Sequence, residues 1–205
     1  MGDRRYGGRS AQQRRGDRRE RLLEAALDLI GTQGYAAATV GALCGAAGVS
    51  TRTFYEEFGG REDVLLAVHD QITAAGFAAL TDALAATASE QLHARIHRSV
   101  HAYLGAVASD TRQARVAFVE VVGVSPRVER HRLAWRRRII GLLETEAAAT
   151  AHRVSSPRRD FRIAAIALIG AVNELGHHWS LQPEAMPLDA VATEITRLAA
   201  AAFAL

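Results

Sequence analysis

The stretch Thr39–Phe58, TVGALCGAAGVSTRTFYEEF, decides how the rest of the chain is read. It predicts two short helices set at a sharp angle by one glycine. Thr39 is a good N-cap, and Val40, Leu43, Cys44 and Ala47 follow at the spacing that gathers apolar side chains on one helical face. Gly48 ends that helix, since a residue without Cβ enters the left-handed region without penalty. Val49 is expected as a buried plug in the turn. Ser50 is expected to cap a second helix, Thr51–Glu57, whose first N–H groups have no helical partner. Phe54 and Phe58, four apart, point inward and leave Thr51, Arg52, Thr53 and Tyr55 outside. A helix showing hydroxyls and a guanidinium at its N-terminal end suits the major groove of DNA.

Features on either side agree with this reading. The amphipathic run RERLLEAALDLI comes first, then Gly34 and Tyr35, and Arg61 with Glu62 opens the next helix. Together with AAGVS (Ala46–Ser50) and TFYEEF (Thr53–Phe58), these residues, from about Arg18 to Leu66, resemble the TetR (tetracycline-repressor) family of bacterial regulators. The resemblance implies an N-terminal three-helix helix-turn-helix DNA-binding domain and a larger C-terminal helical domain for ligand binding and dimerisation. It also implies that Thr39, Tyr55 and Arg61 hold phosphates. Thr51, Arg52 and Thr53 would approach base edges beside Ser50, with Arg52 reading guanine. One departure stands out: Gly59-Gly60 replaces the family's usual polar pair and predicts a looser hinge into the next helix.

Composition supports an all-α fold. The four prolines, Pro126, Pro157, Pro183 and Pro187, fall at helix starts or loops, and no segment alternates as a strand does. The formal charge is +3 and all 25 basic residues are arginine. Eight of them lie within residues 1–21, against Asp3, Asp17 and Glu20. The domain division expected is a disordered basic arm over residues 1–16, a helix-turn-helix domain over 17–64 and a helical regulatory and dimerisation domain over 65–205. Asp17 and Glu20 form an acidic capping box that starts the first helix, and Leu22, Ala26, Leu29 and Ile30 form its apolar stripe. Cys44, the lone cysteine, excludes an internal disulfide and reads as a buried structural thiol. No apolar run reaches membrane-span length and no signal-peptide core follows the N-terminal charges, so a cytoplasmic protein is expected.

Beyond the motif, Arg61 opens a long helix whose buried side is Val64, Leu65, Val68, Ile72 and Leu80. Further helices are expected over residues 89–108, after Asp110, over 126–151 and 157–181 (each proline preceded by a capping serine), and from Leu188 onward. The last two are apolar on more than one side and are expected to form a four-helix bundle with a second copy. Ile166, Ile169, Val172 and Asn173 on one, and Ile195, Leu198 and Ala202 on the other, are the candidate contacts; a monomer core is the competing reading. Tyr103, His101, Phe118, Trp135 and Asn173 are the candidate ligand-binding residues.

Other features have plainer readings. His93, His97 and His101 stack along one face and could bind metal, line a pocket or face solvent. The outer two rings lie about 12 Å apart along the axis, which disfavours one shared ion. The arginines of RVERHRLAWRRR, Arg127–Arg138, either attract an anion or form a solvated face. Motifs for phosphate loops, nucleophile elbows and metal sites are missing, so neither an enzyme nor a cofactor is expected. The function expected is a homodimeric repressor, released from a palindromic operator when a small molecule binds the C-terminal domain. An architectural DNA-binding protein without an effector is the alternative, and a histidine-based metalloenzyme a third.

Overall fold

The computed structural model describes residues 11–153 and 160–203. In chain order the helices are α1 (Ala11–Gln33), α2 (Val40–Ala47), α3 (Thr51–Glu57), α4 (Arg61–Ala86), α5 (Leu92–Ala108), α6 (Thr111–Arg115), α7 (Pro126–Arg153), α8 (Arg162–Leu181) and α9 (Leu188–Ala202). A π-helical turn, Val116–Glu120, continues α6. No strand occurs among the described residues, and the fold is all-α.

α1 departs from expectation by starting at Ala11, ahead of the Asp17 box and inside the segment read as a disordered arm. The cause is tertiary. Arg15 donates to the Glu57 carboxylate at 3.1 Å, Arg18 approaches it at 3.8 Å, and Arg19 donates to the Glu57 carbonyl at 3.3 Å. The Glu57 side chain is only 2% exposed beneath these guanidinium groups. α3 thereby holds two extra turns of α1, a contact that local sequence does not contain. The first ten residues of the expected arm lie outside the described residues.

α4 joins the N-terminal helices to the rest. Val64, Leu65, Val68, Ile72 and Leu80 are buried as expected, and so are His69 and Thr73. By length and composition α4 is apolar enough to cross a membrane, contrary to the expectation that no run would be. Its apolar side is instead packed against α5 and α7 as a core helix. One core runs from Leu22 and Ile30 on α1 through Phe54 and Val107 to Ile195 and Ala199 on α9. The two halves are also clamped at the surface. Arg112 of α6 reaches Glu24 and Asp28 of α1, and Glu120 accepts the Tyr35 N–H at 2.8 Å. At Gly31 the α1 backbone lies so close to α6 that an added Cβ would sit 2.5 Å from Arg112 Cβ and 2.7 Å from its Cα.

The C-terminal helices correct several expectations. α5 begins at Leu92 after Gln91, and α8 begins at Arg162 rather than at Pro157, which is outside the described residues. Ile169, Val172 and Ile195, expected at a dimer interface, are buried in the chain's own core. Helices α5, α7, α8 and α9 enclose one another, and these three side chains fall on the enclosed sides. Ile166 is exposed, and Leu198 and Ala202 are half-buried. Ile163, beside Ile166 on the outer face of α8, is 78% exposed.

Candidate nucleic-acid interface

The outward face of α3 is built by its caps. Thr39, in extended conformation, accepts the Ala42 N–H at 3.2 Å and starts α2. Gly48 takes φ 61 and ψ 43, and the Val49 N–H reaches back to the Cys44 carbonyl at 3.1 Å, closing α2 in a left-handed cap. Val49 is half-buried, packed against the edge of the core rather than enclosed as the plug expected. Ser50 caps α3 by accepting the Thr53 N–H at 3.1 Å, and the Ser50 and Thr53 hydroxyls lie 3.0 Å apart. Phe54 is fully buried, with Phe58 packed at 6.0 Å and Arg19 stacked over Phe58 at 4.3 Å. Burying a phenylalanine contributes about 1.5–3 kcal/mol, so the inward edge fixes the rotation of α3.

What remains outside is polar. Thr51, Arg52 and Tyr55 are exposed, and Thr53 is half-buried. Arg52 Nε donates to Glu56 at 3.2 Å across one helical turn, an exposed pair worth about 0.3–0.5 kcal/mol that a stronger partner could replace. Arg61, at the start of α4, lies 4.5 Å over the Tyr35 ring with its side chain in solvent. Burial raises the Tyr35 hydroxyl above its usual range, with Arg61 opposing that shift. The looseness expected at Gly59-Gly60 is not found. The Gly59 N–H donates to Asp63 at 2.8 Å, and Asp63 in turn pairs with Arg127 of α7. The exit from α3 is thus pinned to the C-terminal half, and Arg127 serves as a tie between helices.

The second candidate site lies beside the C-terminal half of α4. Three cavities of about 90, 50 and 30 Å3 stand in a row among α4, α5, α7, α8 and α9. Leu143 and Leu168 separate the first from the second, and Ile169 and Val172 separate the second from the third. Tyr103, Phe118, Trp135 and Asn173, all expected as ligand residues, meet at the third. His101 does not join them. Its ring stacks on His97 at 4.2 Å and faces Asp189 of α9 at 3.8 Å, because its position on α5 points away from α4. No group of three or more His, Cys, Asp or Glu side chains that could hold a metal occurs among the described residues.

Several channel residues escaped the sequence reading. His69 and Thr73 line the third cavity, and Arg95 and Ser99 the first. Each is a polar residue within an apolar helical stripe. His69 lies four beyond Leu65, and Arg95 and Ser99 lie three and seven beyond Leu92. Burial pushes His69 down to about 4, helped by nearby His131 and opposed by Asp70. The His69 and His131 rings are 5.3 Å apart, and Trp135 donates to Asp70 at 2.9 Å.

Comparison with known proteins adds a family likeness. Residues 22–68, which hold the whole α2–turn–α3 unit, match the family model described as bacterial regulatory proteins, tetR family. Sequence comparison with curated proteins finds no match. Among solved structures, FadR from Bacillus subtilis, in complex with stearoyl-CoA, is similar at 17% identity and TM-score 0.75 over 88% of this chain and 96% of that one. A TetR-family regulator structure from Syntrophomonas wolfei is similar at 15% identity and TM-score 0.77, over 93% and 97%. SmeT, the repressor of the Stenotrophomonas maltophilia efflux pump SmeDEF, is similar at 22% identity and TM-score 0.67, over 91% of each chain. These likenesses extend the shared fold across the C-terminal helices. With the matched segment falling on the capped helix pair, residues 22–68 are similar to the DNA-binding segment of bacterial regulatory proteins of the tetR family, and the rest of the chain shares the fold of these solved structures.

Proposed function

We propose that this protein is a cytoplasmic homodimeric repressor that leaves a near-palindromic operator when a small molecule fills the C-terminal channel. One observation carries the reading: the α3 face is tied at Asp63 to a helix, α4, whose other half walls the channel. In this reading Thr39, Tyr55 and Arg61 bind phosphates, while Thr51, Arg52 and Thr53 meet base edges next to Ser50. A ligand that wedges α4 from α5 or α7 changes the tilt of α4, and with it the spacing of two recognition helices. Two copies are needed because one seven-residue helix reads too few bases.

The exposed part of α8, Ile163 and Ile166, with Leu198 and Ala202 of α9, supplies the apolar surface for the second copy. FadR holding stearoyl-CoA and SmeT acting as a repressor support an effector-released repressor on this fold. The mechanism is a shift of populations: each tenfold loss of operator affinity requires about 1.4 kcal/mol of preference by the ligand for the other spacing. The test is a mobility-shift assay on the intergenic DNA beside the gene, with and without metabolites of the neighbouring genes. Retardation that one metabolite class reverses supports the proposal. Retardation that no metabolite changes favours the architectural alternative.

A further inference from the structure

The row of cavities is long and narrow. His69 lines one end and Leu84 the other, and these α4 residues are 15 positions apart, about 22 Å at 1.5 Å per residue. An occupant that used this space would be a linear chain, and the walls between the ends are hydrocarbon. Both ends are polar: His69, Thr73, Arg132, Arg136 and Asn173 line the third cavity, with Arg132 paired to Glu129, while the end at Leu84 carries buried donors that no protein group meets. Arg95 is 5% exposed and Ser99 is 4% exposed, one helical turn apart on the same face of α5 and both lining the first cavity. One guanidinium nitrogen of Arg95 donates to Glu146 at 2.8 Å and to the Leu84 carbonyl at 3.3 Å. The Arg95 Nε–H and the Ser99 hydroxyl are buried with no protein partner. Unpaired buried donors are costly, and two on one cavity wall mark a place where an oxygen is accepted.

Charge decides which oxygen. Glu146 already neutralises Arg95, so an incoming carboxylate would bring a second negative charge beside Glu146 into an apolar channel. An uncharged carbonyl or hydroxyl oxygen takes the two hydrogen bonds without that cost. We propose that the channel binds a long, unbranched apolar chain carrying a neutral oxygen, seated against Arg95 and Ser99. This rests on the channel being the effector site of the proposed repressor, and it adds the chemical class of the ligand.

The test is calorimetric titration of the full chain with four probes of equal length delivered from cyclodextrin: tetradecane, 2-tetradecanone, 1-tetradecanol and tetradecanoate. The ketone and the alcohol are expected to bind about five- to tenfold tighter than tetradecane, the gain of one net hydrogen bond, with tetradecanoate no tighter than tetradecane. Ser99→Ala should bring the ketone down towards tetradecane and leave tetradecane within about twofold. The charge-balanced double variant Arg95→Met/Glu146→Leu should do the same, and Ser99→Ala decides alone if that variant does not fold. Equal affinity for the ketone and tetradecane, tightest binding of tetradecanoate, or a ketone preference that survives Ser99→Ala would each overturn the proposal. If none of the four binds, the ligand class is refuted, and effector release is then decided by the mobility-shift assay alone. If the ketone binds as expected but operator affinity does not change, the ligand class stands and only effector release is refuted.

Discussion

Acidification should loosen this protein through one side chain. His69 sits on α4 at 2% exposure, with His131 5.3 Å away, Asp70 adjacent and Arg132 nearby. Its Nδ1 is buried without a partner, so the fold stabilises the neutral ring, and burial places the group at about 4 against an ordinary value of 6.5. The sign follows from proton counting. Above pH 6.5 neither state binds the proton and His69 contributes no pH dependence. Between 6.5 and 4 the unfolded chain takes a proton that the folded chain refuses, so stability falls as pH falls, by about 1.4 kcal/mol per pH unit. Below 4 both states are protonated and the loss levels off near 3 kcal/mol. For a chain of this size that is roughly 6–12 °C in Tm. The assay is thermal unfolding by circular dichroism from pH 7 to pH 4, on wild type and His69→Leu. Carboxylates titrate in both proteins, so the difference between the two curves isolates His69. The wild type should lose more stability than the variant, and the gap should open below pH 6.5. Parallel curves would refute the reasoning.

Other consequences concern how the halves are joined. Gly31→Ala places a Cβ against the Arg112 backbone, so α1 and α6 must part; a loss of about 1–3 kcal/mol in urea unfolding is expected, and an unchanged midpoint would contradict it. Arg127→Gln should speed amide exchange at Gly59 by releasing Asp63, while the global unfolding midpoint barely moves; unchanged exchange would show that the tie does not hold the hinge. Arg61→Ala should weaken binding to all duplexes alike and lower the salt slope by about 0.9, whereas a wild-type slope would remove Arg61 from the phosphate contacts.

The helix-turn-helix was legible because its determinants are local. Thr39, Gly48 and Ser50 act within four residues, and Phe54 with Phe58 sets the rotation of α3 by spacing alone. Features that depend on a distant partner were not legible. Arg15 and Glu57 extend α1 over residues that look like a polar tail, and Asp63 with Arg127 stiffens a glycine pair that looks loose. In the C-terminal half, apolar stripes identify helices but not what covers them. Ile169, Val172 and Ile195 therefore read as surface for a second copy when they belong to the chain's own core. Tyr103, Phe118, Trp135 and Asn173 line one cavity, whereas His101 turns towards α9. The polar residues inside apolar stripes, His69, Thr73, Arg95 and Ser99, carried the missed signal.

The central claim is that two copies of α3 read DNA with the exposed side that Arg52 occupies. Selection of bound duplexes from a randomised library, run in parallel on wild type and Arg52→Ala, tests it most directly. Wild type should enrich a two-fold symmetric site, and the variant should lose about 1–3 kcal/mol of preference at one position in each half-site while the other positions persist. Recovery of no symmetric site by wild type, or the same preferences from both proteins, would contradict the account.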